Sequence, residues 1–194
     1  MKRAKPFSLL AIAVAGVLAL LAGSQTWVSF MLDGTHDLET VTGHGVNAAL
    51  SPVAIALVAA ALALTIAGKV FRRILGVLVA LLGAGLIALS AGVVSSPIGA
   101  IGARITELTG ITGDAAGGLV VWHDVSAWAW TSIAAGAIAV AAGAFVLVFG
   151  GRWASGGRKY DAGAGAERQR SGSGSDRISD WDSLTGGDDP TASD

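Results

Sequence analysis

The chain has 194 residues, 53% hydrophobic and only 14% charged, with a net charge of −1. Soluble globular chains carry about 25% charged residues, so an ordinary water-soluble domain is excluded. Cysteine is absent, which removes disulfides, thiolate metal sites and cysteine nucleophiles. The basic residues are few and flank apolar runs, where membrane orientation accounts for them, so no nucleic-acid surface is expected.

Lys2, Arg3 and Lys5 precede the first apolar stretch, 7–26. A hydrocarbon core about 30 Å thick needs ~20 helical residues at about 1.5 Å each. This run is long enough to span. It also has the form of a secretory leader, with Ala22-Gly23-Ser24 as a small-residue cleavage site, but its length favours a retained span. Further apolar stretches follow at 52–68, 74–94 and 127–149, the one at 52–68 being nearest the lower limit. Ser51-Pro52 reads as an N-cap followed by Pro in the first helical turn. The six residues 68–73 read as a tight turn between two antiparallel helices.

The cations are segregated. Lys2, Arg3 and Lys5, then Lys69, Arg72 and Arg73, then Arg152, Arg158, Lys159, Arg168, Arg170 and Arg177 share one side. Only Arg104 lies on the other, a split of 12 to 1. Basic loops stay in the cytoplasm, so both termini are expected inside, with 25–51 and 95–126 outside. Trp27, Trp122, Trp128 and Trp130 fall near outer boundaries and Trp153 follows the last span, as interface anchors would.

None of the four stretches contains Asp, Glu, Lys, Arg or His. Pumps and proton relays place such groups inside the membrane, so a coupled carrier is disfavoured. Small residues recur every fourth position at Ala15/Ala19/Gly23, Ala59/Ala63/Ala67, Ala84/Ala88/Gly92 and Ala135/Ala139/Gly143, and each set is a candidate helix-packing stripe.

The first outer segment carries Asp33, His36, Asp37, Glu39 and His44, and the second Glu107, Asp114, His123 and Asp124. No metal or catalytic spacing joins them, so no cofactor, metal site or catalytic residue is expected. Ile98, Ile101, Ile105 and Leu108 share one helical face, which suggests a short outer helix on the membrane surface. Residues 110–118 read as a flexible connection, and 119–130 as the return to the bilayer. From Gly150 the composition turns to Gly, Ser, Asp and Arg, the signature of a disordered tail. Within it Ile178, Trp181 and Leu184 are spaced by three and run into Asp189, Pro190 and Thr191, a pattern suited to docking on a cytoplasmic partner.

Three motifs add a resemblance: Gly23-Ser24-Gln25-Thr26-Trp27, Val41-Thr42-Gly43 ahead of Pro52, and Trp181-x-x-Leu184-x-x-Gly187-x-Asp189-Pro190-Thr191. Together with the hydropathy they resemble the actinobacterial tryptophan-biosynthesis-associated (trp operon-associated) four-span transmembrane proteins. The resemblance implies a link to tryptophan metabolism and brings no catalytic residues with it.

The expectation is therefore an all-α membrane protein. It has a four-helix transmembrane bundle over 1–153, both termini cytoplasmic, a short outer interfacial helix and a disordered tail over 154–194. It sits in the plasma membrane as a multi-pass, non-enzymatic scaffold or accessory component. Its partners are the lipid bilayer and a cytoplasmic protein at the tail, with homo-oligomerisation left open. The alternative is a permease, or permease subunit, for a small neutral or aromatic solute.

Overall fold

The computed structural model describes residues 4–34 and 37–150. The described chain is mostly helical, as the apolar runs require, but it is not all-α. Four long helices carry a small antiparallel sheet and several short helices at one end. In chain order these are α1 (Ala4–Ser24), β1 (Thr26–Leu32), β2 (Glu39–Thr42), α2 (Gly43–Val46), α3 (Leu50–Ile66) and α4 (Lys69–Ser95). Then follow α5 (Pro97–Ala100), α6 (Gly102–Thr109), α7 (Asp114–Gly117), β3 (Val120–Val125) and α8 (Ala127–Phe149).

Three helices are long and apolar enough to cross a membrane, over Pro6–Ser24, Lys69–Ser95 and Ala127–Phe149. The fourth, α3, has 17 residues, or about 25 Å of helix, at the lower bound for a span. Its start differs from the expectation. Ala49, not Ser51, is the cap residue, and the Asn47 Oδ1 accepts the Ala49 N–H at 3.0 Å. Pro52 is harmless there because first-turn N–H groups have no intrahelical partner. The junction to α4 is also tighter than expected. Only Ala67 and Gly68 separate the two helices, so Lys69, Arg72 and Arg73 belong to the start of α4.

The tightest packing joins α4 to α8, antiparallel. On α4, Gly76, Val79, Gly83, Leu86, Ser90 and Val93 are buried, three and four residues apart in alternation. On α8 the same rhythm runs through Ala129, Ser132, Gly136, Ala139, Gly143 and Val146. A repeat averaging 3.5 residues keeps one seam facing one partner along both helices. The glycines decide the separation. A β-carbon on Gly83 would stand 2.8 Å from the Gly136 O and 2.8 Å from the Val140 N. One on Gly143 would stand 2.7 Å from the Ala80 N. Lipid gives helices no hydrophobic reason to associate, so this close backbone contact is what binds them. The Ser90 Oγ donates to the Ser132 Oγ at 2.9 Å inside the seam.

The small-residue stripes divide. Ala15, Ala19 and Gly23 are buried, as are Ala135, Ala139 and Gly143. Ala84, Ala88 and Gly92 are exposed, and α4 packs through its glycine face instead. Of the α3 stripe, Ala59 is exposed, Ala63 half-buried and Ala67 buried, while the helix itself buries Ala54, Leu57, Ala61 and Leu64.

Arg72 closes the other end of the seam. It is 1% exposed. Its Nη1 donates to the Gly150 O and its Nη2 to the Ala67 O, each at 2.9 Å. Those carbonyls end α8 and α3, where unpaired C=O groups carry the negative pole of each helix. The rigid guanidinium fork reaches both at once. A residue expected only to mark orientation thus ties two helix ends together.

The sheet is the main departure from the sequence expectation. Its order is β2-β1-β3, with β1 central and antiparallel to both neighbours. Residues 120–125 therefore form a strand paired with β1, not the start of an apolar helix. The two stretches expected on one side, 25–51 and 95–126, are joined through this strand. In β1, Val28, Phe30 and Leu32 turn into the core while Ser29 and Met31 are half-buried. The single short helix expected over this segment is split into α5 and α6. Ile101 and Ile105 are 1% and 0% exposed, in the protein core. A four-residue helix, α7, interrupts the expected connection at 110–118.

Two substitution pairs test these contacts by unfolding in detergent. Gly83→Ala is expected to cost about 1–3 kcal/mol, the usual overpacking range. Gly85→Ala, with nothing within 4 Å of the new carbon, is expected to be neutral or stabilising by up to about 1 kcal/mol. Arg72→Lys is expected to lose one of two buried carbonyl partners, about 1–3 kcal/mol. Arg73→Ala, at an exposed position, should stay within about 0.5 kcal/mol.

Candidate functional site

Two of the three motifs behind the sequence resemblance meet in space at the top of α1. The Gly23–Trp27 segment ends that helix and enters β1, and the Val41–Gly43 segment ends β2 and enters α2. A bulge organises the corner. Thr26 pairs with Thr42 and Val28 with Val41, which leaves Trp27 as the extra residue of β1. A bulged residue is re-aimed relative to its neighbours, and Trp27 turns inward to 0% exposure.

The indole is then held on several sides. Its Nε1 donates to the Ala22 O at 2.7 Å, a carbonyl in the last turn of α1 that also accepts the Gln25 N–H at 3.2 Å. Gly43 lies on the ring, since a β-carbon there would stand 2.6 Å from the Trp27 Cε2. The Gly43 N donates to the Gln25 O at 3.1 Å. The Thr42 Oγ1 accepts the Gly45 N–H at 3.2 Å and caps α2. This places His44 over α1, where a β-carbon on Gly23 would overlap the imidazole. The His44 Nε2 is buried and makes no hydrogen bond among the described residues. The corner is thus a shape-matched lock of two rings against two glycines.

Trp27 therefore differs from its expected role. It is a core residue, because the bulge and Gly43 provide a slot for it. Trp122, Trp128 and Trp130 are 47%, 42% and 58% exposed at the same end of the bundle. Trp153 lies outside the described residues. So do Ile178, Trp181, Leu184, Asp189, Pro190 and Thr191, the whole of the third motif, and His36.

The polar residues of the cap are dispersed. Arg104 on α6 reaches the Glu107 Oε2 at 2.9 Å and the Glu39 Oε2 on β2 at 3.3 Å. The hydrogen bonds to Glu107 and then Glu39 raise the pKa of its guanidinium. The contact with Glu39 joins α6 to the sheet, and the one with Glu107 lies within α6. Asp33, Asp37 and Glu39 border a cavity of ≈ 210 Å³ with Leu32, Leu108, Thr109 and Leu119. Asp114 borders another, of ≈ 510 Å³, with Ser96, Thr106 and Ala116. His123 and Asp124 are exposed on the edge strand β3. Among the described residues no three His, Asp or Glu side chains are grouped to hold a metal ion.

The corner has a strand signal of its own: Thr26, Trp27, Val28 and Phe30 are β-branched or aromatic, and Thr40-Val41-Thr42 is wholly β-branched. Both patterns were hidden beside apolar helices.

Comparison with curated proteins gives no match, and comparison with solved structures gives none either. A family model described as tryptophan-associated transmembrane protein matches residues 9–191, nearly the whole chain and all three motifs. The chain belongs to that family of tryptophan-associated transmembrane proteins.

Proposed function

We propose that this protein is a non-enzymatic scaffold or accessory component of tryptophan metabolism, built on four membrane spans with both termini in the cytoplasm. In this reading α3 is the fourth span, the sheet and α6 form an outer cap at the plasma membrane, and residues 178–191 dock a cytoplasmic protein. The carrying observation is the closed seam of α4 and α8, whose backbones approach too closely for a β-carbon at Gly83 or Gly143. A bundle filled this way serves as a rigid platform. A coupled ion or proton path would need titratable groups at depth, and the polar groups buried midway along the seam among the described residues, Ser90 and Ser132, are bonded to each other. The 12-to-1 division of cations supports the orientation. The pairing of β1 with both β2 and β3 supports a common side for the two cap segments.

The absence of cysteine makes the test clean. Full-length Asp114→Cys and Ser171→Cys variants are treated in intact cells with a membrane-impermeant maleimide. Asp114→Cys is expected to label and Ser171→Cys to label only after lysis; the reverse pattern removes the orientation. For docking, full-length protein and its Trp181→Ala variant are purified in mild detergent. A protein that accompanies the first and is lost from the second supports the scaffold, and identical co-purification profiles exclude docking through Trp181.

A further inference from the structure

A cavity of ≈ 510 Å³ lies in the cap, between the C-terminal end of α4 and the short helices α5, α6 and α7. Small-molecule sites occupy about 300–1,000 Å³, so it is of ligand size. Much of its wall is glycine: Gly99, Gly102, Gly113 and Gly117. A β-carbon on Gly102 or Gly113 would meet nothing within 4 Å, so open space stands in front of the backbone there. The same cap already seats rings on glycine surfaces, Trp27 on Gly43 and His44 on Gly23. A flat apolar body fits a wall of this kind, and Ile98 adds an aliphatic contact.

The charge at this cavity has one sign. Asp114 is the one charged residue lining it, and its carboxylate makes no hydrogen bond or ion pair among the described residues. Segments 25–51 and 95–126 together carry six carboxylates against a single guanidinium, Arg104. That guanidinium is already held by Glu107 and Glu39, so the field over the cap draws cations. A divalent metal ion takes several oxygen ligands, and among the described residues no three His, Asp or Glu side chains are grouped to hold one. An ammonium has three N–H donors and no acceptor, so one carboxylate and neighbouring hydroxyl oxygens complete it. The Thr106 Oγ1 donates to the Ile111 O at 3.0 Å and keeps lone pairs for an N–H. The Ser96 hydroxyl is not used to cap α5 and offers a further acceptor.

We propose that this cavity binds a small dissolved amine, a primary ammonium carried on a flat apolar body, with Asp114 as its counter-ion and the glycine wall as its platform. A neutral analogue fills the same space without the charge pairing. An anionic analogue meets Asp114 with like charge.

Calorimetric titration of the full-length protein in detergent, corrected with protein-free micelles, tests this with 2-phenylethylammonium, 2-phenylethanol and phenylacetate as probes. The ammonium is expected to bind about fivefold more tightly than the alcohol, the scale of a solvent-accessible ion pair, and phenylacetate more weakly than either. Asp114→Asn is expected to leave the alcohol as it was and to erase the advantage of the ammonium. Asp124→Asn, which removes the same charge from the exposed strand β3, is expected to keep that advantage, which separates a local counter-ion from the general field. Gly102→Leu, which projects into open space at the wall, is expected to weaken ammonium and alcohol together. Gly102→Ala makes the same reading on a smaller scale if the leucine variant does not fold. Equal affinity for ammonium and alcohol in the unaltered protein, or a preference for the ammonium that survives Asp114→Asn, overturns the proposal. So does displacement of 2-phenylethylammonium in nanodiscs by phosphatidylethanolamine but not by phosphatidylglycerol, which would give the site to a lipid headgroup.

Discussion

Backbone contact between α4 and α8 is the constraint on which the remaining architecture rests. Inside a bilayer, lipid tails are as apolar as leucine, and burying apolar side chains gains little. What distinguishes a packed helix pair is how near the two chains come. Gly76 and Gly83 on α4 meet Gly143 and Gly136 on α8 with no side chain between them. The seam is then pinned by polar contacts within it and at its end: the Ser90–Ser132 hydrogen bond, and Arg72 across the terminal carbonyls of α3 and α8. A one-turn shift of one helix along the other would set a residue with a β-carbon, Ser132 or Ala139, against Gly83 and would part Ser90 from Ser132.

The cap follows from the bundle. A sheet needs every backbone group paired, which hydrocarbon does not permit at an open edge. The strands accordingly lie at one end of the bundle, and the edge strand β3 is largely exposed there. β1 continues directly from α1, and β3 leads directly into α8 through Ser126. The Ser126 N donates to the Trp27 O at 2.8 Å and its Oγ donates to the Thr26 O at 2.5 Å. The same serine accepts the Trp128 N–H and caps α8. One residue thus connects the sheet, the Trp27 corner and the start of the helix that forms the seam. The family motifs at Gly23–Trp27 and Val41–Gly43 belong to this connection, and their glycines are spaces for the rings of His44 and Trp27.

The helices were legible because hydrophobic length is a coarse signal summed over many residues. α8 occupies the residues its hydropathy marks, and α4 extends five residues before the apolar run at 74 to include its basic turn. The choice of packing face was less legible. On α4 the small residues Gly76, Gly83, Ala84, Ala88 and Gly92 offer more than one stripe, and only the position of α8 selects the glycine pair. The sheet is less legible because its strands have four to seven residues and its β1–β3 pairing joins residues as far apart as Val28 and Val125. Trp27 shares its boundary location with Trp122, Trp128 and Trp130, yet a one-residue bulge reverses its environment. Arg72 reads as a topological charge until the short Ala67-Gly68 junction starts α4 early and turns that side chain toward two helix ends. Local pattern carried the elements, and long-range contact decided which residues became structural.

The chain belongs to a tryptophan-associated transmembrane family and is built around a closely packed apolar helix pair. That description depends on the α4–α8 register, and the cysteine-free chain allows it to be read directly. Ser90→Cys/Ser132→Cys places two thiols where hydroxyls now stand 2.9 Å apart, close enough for disulfide formation with modest side-chain adjustment. In full-length protein in native membranes, mild oxidation should give an intramolecular disulfide in nearly all molecules. Ser90→Cys/Ala84→Cys, with the second thiol on the exposed face of α4, should give none. Failure of the first pair to cross-link, or cross-linking only between molecules, would contradict the seam and with it the closed bundle.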